Sequence, residues 1–253
     1  MGGMFSDAEK IHYDGTDILI ANKAANEVIK ISTSTHAKTT VLGPDATWLR
    51  NVLDVTDDGT YYYTLSRSAN LYAANTYICK WDVAGSMQGS CNTSNVKWGI
   101  AIAHYDGEIF ALQGGSVVTA DRKVVILSAS NLANTGKTVP YYNAISAYAY
   151  ASNMDVDQAT GDVYIVYRDF NGIVRGYDRS ASGTYCAASS CYTQVYTYAR
   201  YSSSVTVYDG WVYTNGYYYS SYYGGMKKFP TGGGSVTTLW SQFSTAGYRG
   251  SMA

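Results

Sequence analysis

The sequence predicts an all-β protein, a five-bladed β-propeller whose blades are four-stranded antiparallel sheets. The first observation is an Asp-Gly pair, or Thr-Gly-Asp in one case, placed before an alternating aromatic and aliphatic run. Such a pair is a strong hairpin signal, because Gly accepts a positive φ and Asp tolerates it. The second observation is the spacing of these turns, 44 to 54 residues apart at Gly15, Gly59, Gly107, Gly161 and Gly210. A repeat of this length with about four strands per unit is typical of propeller blades.

The five repeats divide the chain into blades at approximately residues 4–50, 51–99, 100–149, 150–202 and 203–253. Short runs rich in β-branched and aromatic residues mark the strands within each blade. First strands are predicted at 10–13, 52–55, 100–104 and 153–156. Second strands are predicted at 17–21, 61–65, 108–112, 162–167 and 211–215. Third strands are predicted at 28–31, 77–81, 123–127, 173–177 and 225–229. Fourth strands are predicted at 39–42, 95–98, near 138–142, 193–198 and 235–240.

The repeats leave no room for a second domain, so residues 1–253 are predicted to form a single propeller domain. No segment has helical periodicity, and no stretch has the composition of an interdomain linker. The tail at 248–253 resembles the linker at 48–53, which leads into the second blade. By analogy the tail is predicted to lead back to the first blade, as closure of a ring requires. A six-bladed ring with one truncated blade is the alternative.

Composition excludes some classes of function. Lys and Arg number 18 and Asp and Glu number 19, which gives a net charge of −1. A chain this close to neutral is not expected to bind nucleic acid or an anionic membrane through its overall charge. No run of 18 apolar residues is present, so no membrane-spanning helix is predicted. The 27 tyrosines fit strand surfaces that face water, since Tyr joins an apolar ring to a polar hydroxyl.

The four cysteines fall into two close pairs, Cys79 with Cys91 and Cys186 with Cys191. Four cysteines allow three pairings, but both close pairs lie where the third strand of a blade turns into the fourth. We therefore predict two local disulfides, which indicate an oxidising compartment. A zinc site is the alternative, although no C-x₂-C spacing or nearby His supports it. The expected location is extracellular, on the cell surface or in the periplasm, and no metal or other cofactor is predicted.

Three stretches resemble a known kind of repeat. The run at 209–215, D-G-W-V-Y-T-N, followed by G-M-K-K-F-P-T-G-G-G-S-V-T-T-L at 225–239, resembles a bacterial extracellular propeller repeat. The runs at 154–166 and 14–31 are similar to units of the YWTD and NHL type. The resemblance implies a propeller in an extracellular or surface protein, and such rings mostly bind proteins or glycans. The Trp of the YWTD core is absent, so no receptor function is carried over.

Aromatic and arginine residues recur at the predicted ligand-binding face. In propellers, ligands usually meet the loops between second and third strands and the links between blades, an expectation that comes from the fold alone. Aromatic faces stack on sugar rings, and the planar guanidinium donates to hydroxyls and carboxylates. The alternative is that each Arg binds a loop carbonyl or pairs with a nearby Asp. The candidate ligand-binding residues are Trp48, Arg50, Arg67, Trp98, Arg168, Arg200, Tyr201, Tyr248 and Arg249.

Signals for catalysis are few. The three histidines are scattered, and two of them, His12 and His104, precede Tyr-Asp-Gly turns, which favours a structural role. No nucleophile elbow, zinc-protease motif or phosphate-binding loop is present. Asp54, Asp155 and Asp157 lie on or near first strands and could form a carboxylate pair in the channel.

The sequence therefore favours a secreted or cell-surface binding module that recognises a glycan or an extracellular protein without catalysis. A propeller hydrolase or lyase that uses channel carboxylates is one alternative. A structural unit of an extracellular assembly is the other.

Overall fold

The structure is a computed structural model of the chain. It describes residues 8–45, 47–67, 76–114, 122–140, 150–168, 173–185, 192–197, 203–216 and 225–240. No α-helix occurs in these ranges, and one 3₁₀ turn lies at Lys23–Ala25. Within them, no helix is long and apolar enough to cross a membrane.

The protein is a five-bladed β-propeller, so the five-bladed prediction is confirmed over the six-bladed alternative. Blade one contains β1 Ala8–Tyr13, β2 Asp17–Asn22, β3 Glu27–Ser32 and β4 Lys38–Leu42. Blade two contains β5 Val52–Asp57, β6 Tyr61–Arg67 and β7 Thr76–Asp82. Blade three contains β8 Gly99–Tyr105, β9 Glu108–Gln113, β10 Lys123–Ser128 and β11 Asn134–Pro140. Blade four contains β12 Tyr150–Val156, β13 Val163–Arg168, β14 Ile173–Tyr177 and β15 Tyr192–Tyr196. Blade five contains β16 Ser204–Tyr208, β17 Trp211–Gly216, β18 Gly225–Pro230 and β19 Thr237–Trp240.

The Asp-Gly turns take the conformations that their residues favour. In blade five, Asp209 and Gly210 have φ values of 49° and 72°, and they close a two-residue hairpin between Tyr208 and Trp211. Two consecutive positive φ values match the right-handed twist of the flanking strands. In blade two the turn is longer, and the Asp58 carboxylate accepts hydrogen bonds from the backbone N–H groups of Thr60 and Tyr61. The turns mark the lower end of each blade, and the ends where first strands begin are called the upper end below.

The predicted fourth strand of blade two at 95–98 is wrong. The fourth position is instead held by two isolated bridges to β7, from Met87 to Trp81 and from Asn92 to Ile78. Gly85 and Gly89 have φ values of 84° and 74°, so the backbone turns repeatedly before it could extend as a strand. The remaining predicted strands correspond to observed ones, although β11 begins earlier than the predicted 138–142.

The described residues divide into two compact units. The first contains the chain up to Gln113 and Val125–Gly136, and the second contains residues among Gly114–Val124 and Lys137–Met252. In the first unit, one core cluster packs Leu19 and Val28 of blade one with Tyr62 and Trp81 of blade two. A second cluster packs blades two and three through buried residues that include Tyr63, Leu65, Ile78, Ile109 and Val125.

In the second unit, the core cluster joins blades four and five. Tyr164 and Val174 pack against Val205, Val212 and Phe229. The Tyr164 hydroxyl also donates to the carbonyl of Thr231 at 2.7 Å. Each core is therefore built by stacking the apolar faces of neighbouring sheets, which is how a propeller buries surface that a single blade leaves exposed.

Candidate functional site

The link that enters blade three is held by hydrogen bonds on both sides of Trp98. The Lys97 N–H donates to the Gln113 side-chain oxygen at 2.7 Å, and the Gly99 N–H donates to the Thr76 hydroxyl at 2.9 Å. Both acceptor side chains are buried, so water does not compete for these bonds. The three-residue link Lys97–Trp98–Gly99 is therefore fixed from blade two and from blade three at the upper end.

Arg67, the last residue of β6, fixes the same link by binding the Gly99 carbonyl. Its Nε and Nη2 donate to the Gly99 carbonyl at 3.0 and 2.6 Å. Arg67 is a predicted ligand-binding residue, and this contact is the loop-carbonyl role that the sequence left open as the alternative. Burial lowers the pKa of Arg67, and the charge of Glu9 acts in the opposite direction. The guanidinium is thus both anchored and partly removed from water.

Gly99 is needed because the backbone is crowded there. A Cβ at this position would lie 2.7 Å from Leu65 Cδ1 and 2.7 Å from Thr76 Cγ2. Such distances do not occur in ordinary packing, so any larger residue would push the link away from Arg67. The approach of the link to the end of β6 is therefore as close as the backbone allows.

Trp98 has a φ of 53°, in the left-handed region. A bulky residue in this region is an outlier, and such strain costs about 1–3 kcal/mol. The hydrogen bonds at Lys97 and Gly99 hold the conformation in place. The Trp98 side chain is half-buried, so part of the indole remains exposed to solvent at the upper end. Strain of this kind is common where a side chain is presented to a ligand.

The link that enters blade two presents a second pair of predicted residues. The Asp45 carboxylate accepts hydrogen bonds from the N–H groups of Thr47 and Trp48 at 2.6 and 2.9 Å. The half-buried Trp48 ring packs edge-on against Tyr77, with centroids 5.6 Å apart. Arg50 is exposed, and the following N–H of Asn51 donates to the Asn26 side chain at 2.9 Å.

The other predicted ligand-binding residues lie partly or wholly outside the described part of the structure. Arg168 is the last residue of β13, and its side chain lies outside the described part of the structure. Four more candidates lie outside the described residues altogether: Arg200, Tyr201, Tyr248 and Arg249. The tail at 248–253, predicted to lead back to the first blade, also lies outside them. Among the described candidates, Arg67 binds the carbonyl of Gly99, the residue that directly follows Trp98.

The predicted channel carboxylates are engaged in structural hydrogen bonds. Asp54 accepts from Lys10 Nζ at 3.0 Å, from the Ile102 N–H at 2.8 Å and from its neighbour Val55. It therefore joins β1, β5 and β8, the first strands of three successive blades. Asp155 of β12 joins blade four to blade five in a similar way. It accepts hydrogen bonds from the Thr206 hydroxyl at 3.0 Å and from the Val207 N–H at 2.7 Å, both in β16.

Asp157 lies at the start of the turn that leads to Asp162. It is buried, and its carboxylate accepts the N–H of Ala159 at 2.9 Å. Within the described residues, no group of three His, Cys, Asp or Glu side chains is arranged to hold a metal ion. The described carboxylates thus have structural partners, and this favours structural roles for them.

The two histidines before Asp-Gly turns also have structural neighbours at the lower end. His12 Nε2 lies 2.8 Å from Asp57 Oδ2, a contact between the first strands of blades one and two. His104 stacks on the Tyr63 ring at an interplanar angle of 3°. Burial lowers the pKa of His104, although the Asp58 and Asp57 charges raise it in part. The structural interpretation of these residues fits their contacts.

The disulfide between Cys79 and Cys91 is formed, as predicted. It ties β7 to the segment that takes the place of the fourth strand of blade two. Cys186 and Cys191, the second predicted pair, lie outside the described residues.

Solved structures of diverse proteins share this fold. The chain resembles hydrazine synthase from Kuenenia stuttgartiensis with a TM-score of 0.63 at 12% identity, covering 95% of this chain and 68% of that one. It resembles a chain of a nidogen/laminin complex with a TM-score of 0.54 at 12% identity, covering 73% and 64% of the two chains. It resembles AztD from Citrobacter koseri with a TM-score of 0.53 at 10% identity, covering 95% and 60%.

At these identities the likeness concerns the fold alone. No protein-family model matches the chain. No curated protein matches it.

Three residues of the site were not predicted from the sequence. Thr76 and Gln113 accept the hydrogen bonds of the link, and Gly99 supplies the carbonyl that Arg67 holds. A polar residue at the end of an otherwise apolar strand, as Gln113 is in β9, is the one sequence signal that points to them.

Proposed function

We propose that this protein is a non-catalytic binding module that recognises a glycan or an extracellular protein through the upper end of its blades. The supporting observation is the Lys97–Gly99 link, where the backbone on either side of a strained, half-buried Trp98 is held by buried hydrogen-bond partners and by Arg67. A recognition residue that is rigid before binding loses little conformational entropy on binding. This favours a role for Trp98 in recognition.

The second link supports the same surface. Arg50, two residues after Trp48, is exposed, and the Asp45 and Asn26 side chains hold the backbone on both sides of the pair. Aromatic residues and Arg are enriched where binding energy concentrates in interfaces. The candidates outside the described residues, Arg200, Tyr201, Tyr248 and Arg249, remain predictions for the same surface.

An extracellular or periplasmic location belongs to this proposal. The Cys79–Cys91 disulfide supports it, since such bridges persist in oxidising compartments. A chain of a nidogen/laminin complex has the same fold, and this likeness supports a protein partner. Membership of the YWTD and NHL type of repeat, and the arrangement of residues 1–253 as one domain, are further parts of the proposal.

A binding screen tests the proposal. The protein would be applied to a glycan array and to immobilised extracellular matrix proteins, with Trp98→Ala and Arg50→Ala beside the wild type. We expect at least one ligand whose binding falls about tenfold or more in one of these variants. Val83→Ala is the control, because Val83 is 67% exposed in the lower hairpin of blade two. If no ligand binds, or if Val83→Ala weakens binding as much, the proposed surface is wrong.

A further inference from the structure

Arg67 carries a half-buried positive charge that forms no ion pair within the described residues. Its hydrogen bonds use Nε and Nη2, and both go to the neutral Gly99 carbonyl. Within the described part of the chain, no Asp or Glu lies within ion-pair distance of its guanidinium. The arrangement leaves donors on Nη1 for another partner, since guanidinium has five N–H groups in a planar fork.

The carboxylate whose charge acts on Arg67 is already paired with another cation. Glu9 is the carboxylate whose charge acts on Arg67, but its Oε2 lies 3.4 Å from Lys23 Nζ. Glu9 is therefore paired with Lys23 and does not form an ion pair with Arg67. A partly desolvated charge without a counterion costs free energy, and an incoming anion would recover part of that cost.

The residue beside the anchored carbonyl is aromatic. Trp98 directly precedes Gly99, and it is half-buried in a backbone conformation that costs free energy to hold. Aromatic faces pack on the apolar faces of sugar rings, whereas a carboxylate pairs with the planar guanidinium. An indole on this link and a partly desolvated guanidinium bound to the next residue match a ligand that has both an apolar ring face and a carboxylate.

We propose that Arg67 and Trp98 form a subsite for a carboxylated sugar, a hexuronic acid residue of an acidic glycan. This inference rests on the proposed binding function and names the ligand class of that surface. The carboxylate pairs with the Arg67 guanidinium, and the pyranose ring lies on the Trp98 indole. An acidic peptide offers the carboxylate but not the rigid ring face, so the aromatic partner favours the sugar.

Matched monosaccharides test this directly. Methyl β-D-glucuronide and methyl β-D-glucoside differ only in a carboxylate in place of a hydroxymethyl group. Each would be titrated into ¹⁵N-labelled protein at millimolar concentrations, and the Arg67 Nε–H and Trp98 indole N–H resonances would be followed. We expect both resonances to shift with the glucuronide, and binding of the glucoside to be about ten- to hundredfold weaker. The preference should shrink as salt is raised, because screening weakens the ion pair.

Variants separate charge from geometry. Arg67→Gln removes the charge, and we expect it to bind both sugars equally weakly. Arg67→Lys keeps the charge without the fork and should retain part of the preference. Because either change could disturb the link, Trp98→Ala provides a second route, in which the carboxylate preference persists but both sugars bind more weakly. The spectrum of each variant reports whether the blades remain folded.

Each outcome decides a different statement. Equal binding of the two sugars would overturn the carboxylate inference and leave the binding function standing. Stronger displacement by a short Asp-Glu peptide would overturn the sugar assignment in favour of an acidic protein segment. If neither sugar moves either resonance, the subsite is wrong, and the separate screen on glycans and matrix proteins still decides whether the protein binds at all.

Discussion

Removal of the Cys79–Cys91 disulfide is expected to lower stability measurably. The two cysteines are 12 positions apart and close a short loop in the lower half of blade two. By the loop-entropy estimate, a bridge over a loop of this length stabilises the fold by about 3 kcal/mol. The local structure offers little compensation, because the segment pairs with β7 only through isolated bridges at Met87 and Asn92.

The perturbation is the double variant Cys79→Ala with Cys91→Ala, which leaves the other two cysteines untouched. For a chain of this length, a loss of about 3 kcal/mol corresponds to a decrease of about 6 °C in the melting temperature. Thermal unfolding and urea titration both measure it. Hydrogen exchange should localise the effect, since the Ile78 and Asn92 amides bond each other's carbonyls at 3.0 and 2.8 Å. These two amides should exchange faster in the variant.

The control is Val83→Ala, which changes an exposed side chain in the same hairpin and should alter stability by less than about 0.5 kcal/mol. If the double variant loses as little as the control, the bridge does not constrain the hairpin. The hydrogen bonds of Asn92 with Ile78 and with the Leu132 carbonyl would then hold this segment.

Four further predictions concern single residues. Ser66→Ala should leave stability unchanged or raise it by about 1 kcal/mol in urea titration, because the buried Ser66 hydroxyl has no hydrogen-bond partner among the described residues. A clear loss of stability would show that it has one. Gly99→Ala should lower the melting temperature and weaken ligand binding together, because its Cβ would lie 2.7 Å from two side chains; unchanged binding would contradict the proposed site. Burial of Asp58 alone would raise its pKa, but hydrogen bonds from Tyr63 and two backbone N–H groups outweigh burial and lower the pKa. The stability that Asp58 contributes is therefore present above about pH 4 and is lost on further acidification. In Tyr63→Phe this loss should be smaller, and an unchanged dependence of stability on acid pH would refute the explanation. Burial lowers the pKa of His104, so the unfolded chain binds the proton more readily than the folded protein does. Stability should therefore fall as pH decreases from about 6.5 towards the lowered pKa. The His104→Gln variant should lack this fall in stability, and a pH profile identical to that of the wild type would exclude His104 as the cause.

Much of the fold is predictable because turn chemistry is local. Asp106-Gly107 and Asp209-Gly210 both adopt the two positive φ values that such pairs favour, and their spacing sets the blade length. The hairpins on either side then follow from alternation of apolar residues. The fourth position of blade two is different, because it depends on a disulfide and on Asn92 reaching the next blade. Neither constraint appears as a strand-like run of residues.

The candidate site was predictable in part. Arg67 and Trp98 were expected at the upper end from their positions beside predicted strands. Their relationship was not, because Arg67 meets Gly99 across 32 positions of sequence. The left-handed conformation of Trp98 is also invisible in the sequence, since a bulky residue adopts it only where the surrounding contacts impose it. Tertiary contacts, rather than local preference, therefore create the site.

A crystal structure of the protein bound to a glucuronate-containing oligosaccharide is the most direct test of the proposed site. The proposal predicts the sugar carboxylate within hydrogen-bond distance of Arg67 Nη1, the pyranose ring against the Trp98 indole, and Trp98 still at positive φ. A ligand bound elsewhere, or a Trp98 that relaxes to negative φ with its ring buried, would contradict it.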